Sequence, residues 1–262
     1  MSPPPLLRCL RHPNLRRFFA GQSVSLVGSW MQSVALSWLV YRLTGSSELL
    51  GLVTFLSQVP VFLFATWAGS LADRVDRRRM VMLTQGNALA QAALLALLTF
   101  TGLVQVWHLL ALSVMLGMTY AFEIPARQAL LADLAGEDIS NAVALNSTVV
   151  NMARVAGPAL AGVLVASVGE AWCFLLNALS FLATLTALAR MRGVPRPAVT
   201  KARGLQHLVD GARYAGRTSM VRALLLLSLA ASFCALPYQT LMPLIAARQL
   251  GGDAAMSGIS VW

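Results

Sequence analysis

Residues 49–79 read LLGLVTFLSQVPVFLFATWAGSLADRVDRRR: twenty-four positions without Asp, Glu, Lys or Arg, then two acids and four arginines within seven residues. A helix that crosses a bilayer needs about 20 mostly apolar residues, so the change at Asp73 marks the point where such a helix leaves the hydrocarbon. The pattern repeats on both sides. Residues 18–41, 171–189 and 223–247 are charge-free; residues 80–122 are charge-free over a length that suits two helices, with a break from Thr101-Gly102 to Trp107-His108. Residues 139–169 hold one charge, Arg154. Seven helices are expected, at about 17–42, 48–72, 79–101, 105–125, 141–168, 171–190 and 222–247. The fold class expected is an all-α integral membrane bundle.

Composition agrees. Of 262 residues 57% are apolar and 11% charged, against about a quarter charged in soluble domains. The net charge of +10 would suggest nucleic acid in a soluble protein, but here it is distributed by side. Seventeen of the twenty Lys and Arg fall on alternate connections: Arg8 to Arg17, Arg74 to Arg79, Arg127, and Arg190 to Arg222. Arg42 and Arg248 lie opposite, and Arg154 lies within a span. By the positive-inside rule the N-terminus and the long loop are cytoplasmic, in the plasma (cell inner) membrane. The charge therefore sets orientation, and no nucleic-acid partner is expected.

The first span is too long for a signal-peptide core of about 7–15 residues and is read as retained. Three cysteines without CxxC spacing suggest neither a disulfide framework nor a zinc site. Three domains are expected: a six-helix bundle over 1–190, a basic loop over 191–220 with a short interfacial helix from Gly204 to Arg217, and the start of a second bundle over 221–262. The nine residues from Ala254 to Trp262 are too short to cross a bilayer at about 1.5 Å per residue, so a C-terminally truncated chain is expected, its missing half needed for transport.

Three motifs carry chemistry. Gly69-Ser70-Leu71-Ala72-Asp73-Arg74-Val75-Asp76-Arg77-Arg78 resembles the loop of the major facilitator superfamily written G-x-L-A-D-R-x-G-R-R. Gly69 would let a helix approach closely, and Asp76 stands at the usual glycine, where a left-handed turn is tolerated by Asp. The resemblance implies that Asp73 and Arg74 contact the other half and stabilise an outward-open state, with Arg77 and Arg78 in the same gating motif; a purely topogenic role for the arginines is the other reading. Arg154-Val155-Ala156-Gly157-Pro158-Ala159-Leu160-Ala161-Gly162 resembles the exporters' G-P-x-x-G-G motif, with Ala161 replacing a glycine. Gly157, Pro158 and Gly162 should give a bent, closely packed helix. Phe122-Glu123-Ile124-Pro125-Ala126-Arg127, with Asn141 to Asn146, is similar to the exporter branch of siderophore-exporter-like and transmembrane secretion effector proteins.

Individual polar residues follow. Arg154 sits about 20 Å from the start of its helix, a costly place for an unpaired charge; it is either a substrate or coupling residue or half of an internal ion pair. Pro125 is expected to end helix four, leaving Glu123 as a proton-coupling acid or a cytoplasmic cap, with Arg127 four residues on as its partner. Gln22, Ser25, Ser29, Gln32 and Ser33 share an arc of helix one, so Ser29 and Gln32 are substrate candidates or interhelical glue. No P-loop, dinucleotide fingerprint or Ser-His-Asp grouping appears, and neither an enzyme, a cofactor nor a metal site is expected. The resemblance implies a small-molecule exporter working by alternating access with proton antiport. A lipid or nutrient facilitator on the same fold, and a non-transporting remnant or assembly partner, are the alternatives.

Overall fold

A computed structural model describes residues 9–194, 213, 218–224, 226, 227 and 230. It contains six long helices: α1 (Pro13–Thr44), α2 (Ser47–Ala72), α3 (Arg77–Phe100), α4 (Val106–Ala135), α5 (Ile139–Val168) and α6 (Glu170–Ala189). Only a three-residue 3-10 turn, Gly136–Asp138, separates α4 from α5. By length and hydropathy α1, α2, α3, α6 and the continuous stretch Val106–Val168 qualify as membrane-crossing segments. That 63-residue stretch exceeds any single crossing and resolves into α4 and α5. The expected interfacial helix and nearly all of the seventh span lie outside the described residues.

Local chemistry sets the helix ends. Gly45 closes α1 with φ 63°, and Ser46 caps α2 by accepting from the Leu49 N–H at 3.3 Å. Asp76 caps α3, its carboxylate accepting from the Arg79 N–H at 3.1 Å. Asp76 thus adopts an extended backbone, φ −61° and ψ 106°, not the expected left-handed one; an N-cap needs extended geometry and an acceptor side chain, and Asp supplies both. Pro125 lies inside α4 instead of ending it as expected. In a bundle, neighbouring helices and small backbone adjustments accommodate the missing N–H and the ring, and α4 runs on to Ala135.

Packing follows a regular scheme. α2 packs mainly on α4, α4 on α3, α3 on α6, α6 on α1, and α1 on α5. This chain of contacts maps onto itself when α1, α2 and α3 are exchanged with α4, α5 and α6, the signature of an internal inverted repeat. Hydrocarbon supplies little drive for one helix to join another, so small residues and polar bonds must hold the bundle. A Cβ on Gly157 of α5 would stand 2.9 Å from the Val27 carbonyl and 3.0 Å from the Met31 nitrogen of α1. Gly157→Leu is therefore expected to force α5 off α1 at a cost of about 3 kcal/mol, read as lost monodispersity or a lowered Tm in detergent. Pro158 and Gly162 are buried in the same helix. Gly69 differs: a Cβ added there would meet no atom within 4 Å among the described residues, so the close approach expected at this glycine is not seen.

At the bundle's midsection α1, α3 and α6 share a buried polar chain. Gln32 Nε2 donates to Gln91 Oε1 at 3.0 Å, Asn177 Nδ2 donates to Gln32 Oε1 at 2.8 Å, and Ser180 Oγ donates to Asn177 Oδ1 at 3.0 Å. Gln32→Leu should leave two buried partners unsatisfied and cost about 1–3 kcal/mol, whereas Ser33→Ala, at an exposed position, should leave the unfolding temperature unchanged. At one end, the Arg42 guanidinium grips Glu170 with bonds of 2.8 and 3.2 Å, joining α1 to α6. The opposite end collects the arginines.

Candidate functional site

α4 passes an acid through the interior. Glu123 is only 5% exposed, because its helix continues past Pro125 and packs Ala121 and Ala126 into the same interior. Gln85 of α3 donates from Nε2 to Glu123 Oε1 at 2.9 Å, and Arg127, one turn on, approaches the same oxygen at 3.8 Å. Glu123 Oε2, Gln85 Oε1 and Arg127 Nε, all buried, have no hydrogen-bond partner among the described residues. Tyr120, one turn before Glu123, lies near Ser29 of α1, whose hydroxyl donates to the Ser25 carbonyl at 2.8 Å. The structure thus brings Ser29, Glu123 and Arg127 together, and adds Gln85 and Tyr120, which no motif in the sequence marks. Glu123 is buried within α4, which runs on to Ala135, so it does not stand at the end of its helix.

Gln32 belongs elsewhere. Both ends of its amide are engaged in the α1–α3–α6 chain, so in this conformation it acts as interhelical glue. The polar arc of α1 divides accordingly: Gln22, Ser25 and Gln32 are buried, Ser29 is half-buried and Ser33 is exposed.

Arg154 is exposed on α5, and its guanidinium lies over the Trp30 ring of α1, 5.2 Å from the centroid. Among the described residues no acid pairs with it. Ser147 and Asn151 are exposed at spacings of seven and three residues before it, which places all three along one face of α5. A polar face on a membrane-spanning helix must meet protein or water.

At the arginine-rich end, Arg77 is the hub of the loop motif. Its Nη1 bonds Asp133 of α4 at 2.5 Å, its Nη2 lies 3.5 Å from Asp73, and its Nε donates to the Ala72 carbonyl at 3.3 Å. Arg78 donates to the Ala189 carbonyl at the end of α6 at 2.9 Å. Arg74 is exposed. Asp133 is a partner that the sequence does not announce: with helix four ended at Pro125 it falls in a loop, whereas carrying the apolar periodicity of Ala126, Leu130 and Leu131 through the proline delivers it to the same end as Arg77.

The described residues thus form an all-α bundle of membrane-length helices with repeat symmetry, a buried acid in its interior and a charged clasp at one end. Residues 6–261 match the family described as transmembrane secretion effector, and the chain belongs to that family of the major facilitator superfamily. It is 28% identical over 252 residues to the staphyloferrin A transporter of Staphylococcus aureus (strain NCTC 8325 / PS 47), covering 93% of this chain and 62% of that protein. It is 26% identical to the multidrug efflux pump Tap of Mycolicibacterium fortuitum, covering 88% of this chain and 59% of Tap. With the enterobactin exporter EntS of Shigella boydii serotype 4 (strain Sb227) it shares 27% identity over 82% of this chain and 52% of the exporter. A bacterial homologue of the human lysosomal transporter Spinster, solved inward-facing and unoccupied, superposes with a TM-score of 0.67 at 17% identity, over 95% of this chain and 58% of that one. The chain spans between about half and three-fifths of the length of these proteins.

Proposed function

We propose that the protein is a secondary active exporter of a small, oxygen-rich organic molecule, working by alternating access and driven by proton entry. The observation that carries this reading is Glu123: a carboxyl held in the interior of a membrane bundle by Gln85 and Arg127, in a chain whose relatives include siderophore and drug exporters. Ionisable groups at that depth are expensive and are kept for coupling or transport. In this reading Glu123 takes up and releases the coupling proton and Arg127 stabilises its charged form, with Ser29 and Tyr120 close by.

The face of Arg154, Asn151 and Ser147 supplies substrate contacts. A guanidinium with no acid beside it, flanked by an amide and a hydroxyl, favours a ligand bearing carboxylates or other anionic oxygens. Asp73, Arg74, Arg77 and Arg78, with Asp133, form the conformational clasp, and the α1–α5 contact at Gly157, in the helix that also buries Pro158 and Gly162, holds the cavity wall against α1. The arginine-rich end faces the cytoplasm, and a second bundle completes the cavity. Arg154→Ala is expected to weaken binding of an anionic substrate by about tenfold to a hundredfold in the natively expressed protein, while a lipophilic cationic dye binds no worse. Tighter binding of the dye than of staphyloferrin A or enterobactin to the wild type would defeat the anionic assignment.

A further inference from the structure

The arginine-rich end holds a second feature, apart from the clasp at Arg77. Arg17 of α1, with Arg190 and Arg192 beyond α6, lines a cavity of about 530 Å³ together with Ala189. All three arginines are exposed, and among the described residues none forms an ion pair. Asn14 fixes two of them: its Nδ2 donates to the Arg192 carbonyl at 2.7 Å, and its Oδ1 accepts from the Arg192 N–H and from Arg17 Nη1, each at 3.3 Å. The arginines are thus arranged around the cavity by a polar side chain that joins the start of α1 to the exit of α6. The neighbouring cavity, at Arg78 and Arg79, differs: it includes Asp76, which lies 3.6 Å from Arg79 and offsets its charge.

The surface toward the membrane interior is apolar. Val24 stands two turns from Arg17 on α1, and Leu179 stands three turns from Arg190 on α6; both are exposed. The two helices touch between Arg17 and Val24, where a Cβ on Gly21 would lie 2.9 Å from the Thr184 Cα. The seam therefore presents three unneutralised guanidinium groups at its end and aliphatic side chains along its length. A water-soluble anion would match the first part alone; an anionic amphiphile matches both.

We propose that this seam is a binding site for an anionic phospholipid, its phosphodiester seated among Arg17, Arg190 and Arg192 and an acyl chain lying against Val24 and Leu179. Basic cavities of this kind at the end of a helical bundle suit lipid head groups. The site depends on the chain being a membrane protein and not on its substrate or coupling ion.

The test is native mass spectrometry of the natively expressed protein released from nanodiscs of phosphatidylcholine containing phosphatidylglycerol or cardiolipin. The wild type should retain one anionic lipid. Arg17→Gln/Arg192→Gln should weaken retention by about twenty-fivefold, at roughly fivefold per basic side chain, while Arg11→Gln/Arg16→Gln, with the same loss of charge at exposed positions outside the cavity, should retain it. Equal loss in both double variants would reduce the effect to net charge and overturn the site. Retention of phosphatidylcholine to the same degree, or displacement of the lipid by millimolar inorganic phosphate, would also overturn it, the latter in favour of a soluble anion.

Discussion

Glu123→Gln is expected to reduce uphill export to the background of protein-free vesicles while leaving downhill substrate exchange in place. Gln occupies the volume of Glu and still offers an acceptor to Gln85 Nε2, which lies 2.9 Å from Oε1, but it cannot take up a proton. A substitution that removes only the titration should uncouple the carrier without emptying the site. The bundle should lose no more than about 2 kcal/mol, because Arg127 forfeits a partner at 3.8 Å that is not in tight contact. The check is paired: accumulation against a gradient, and counterflow of labelled substrate at equal pH on both sides. Loss of the first with retention of the second identifies coupling. Unchanged accumulation by Glu123→Gln would point to a facilitator or to a different acid.

The second large effect is expected at the arginine-rich clasp. Arg77 and Asp133, at 18% and 19% exposure, form a 2.5 Å contact between α3 and α4, while Asp73 shares the same guanidinium from 3.5 Å. Truncating Arg77 strands the half-buried Asp133 carboxylate, whose second oxygen already has no partner among the described residues. Arg77→Ala should cost about 3 kcal/mol and Asp133→Ala a similar amount, and because both delete one interaction the double variant should cost little more than either. A coupling energy of about 2 kcal/mol in a double-mutant cycle on thermal unfolding would establish the pair. Additive losses would show that each residue acts alone and that the arginines serve orientation only. Asp73→Ala, further from Arg77 and about half exposed, should change stability by less than about 1 kcal/mol and act on the conformational equilibrium instead.

The helices are legible in the sequence because the bilayer imposes a crude rule: charges are excluded from a span and gathered at its ends. The stretch ending at Asp73 illustrates it, and the turn around Gly102 follows from the same reasoning. Prolines are harder to read. Pro125 interrupts a helix in isolation, but α4 is supported by α2 and α3 on its flanks, so the proline is absorbed and Glu123 becomes an interior residue. That one difference moves Asp133 from a loop to the clasp. Partnerships are harder still, since a stripe such as Gln22 to Ser33 has the same appearance whether it lines water or meets Gln91 and Asn177 across a buried contact. Only the relative rotation of α1 and α6 decides, and no local pattern encodes it. Gln85 and Tyr120 are inconspicuous for the same reason: each is an ordinary residue in an apolar helix until α1, α3 and α4 are assembled around Glu123.

Transport driven by a proton gradient is the central claim, and it is tested most directly in inside-out membrane vesicles containing the natively expressed protein. Uptake of staphyloferrin A, enterobactin and a lipophilic cationic dye would be followed with a proton gradient imposed, acid inside, and again after a protonophore collapses it. The expected result is accumulation of staphyloferrin A or enterobactin above its external concentration, abolished by the protonophore. Equal rates with and without the gradient would contradict coupling and leave a facilitator; uptake no greater than in vesicles lacking the protein would contradict export of these compounds altogether.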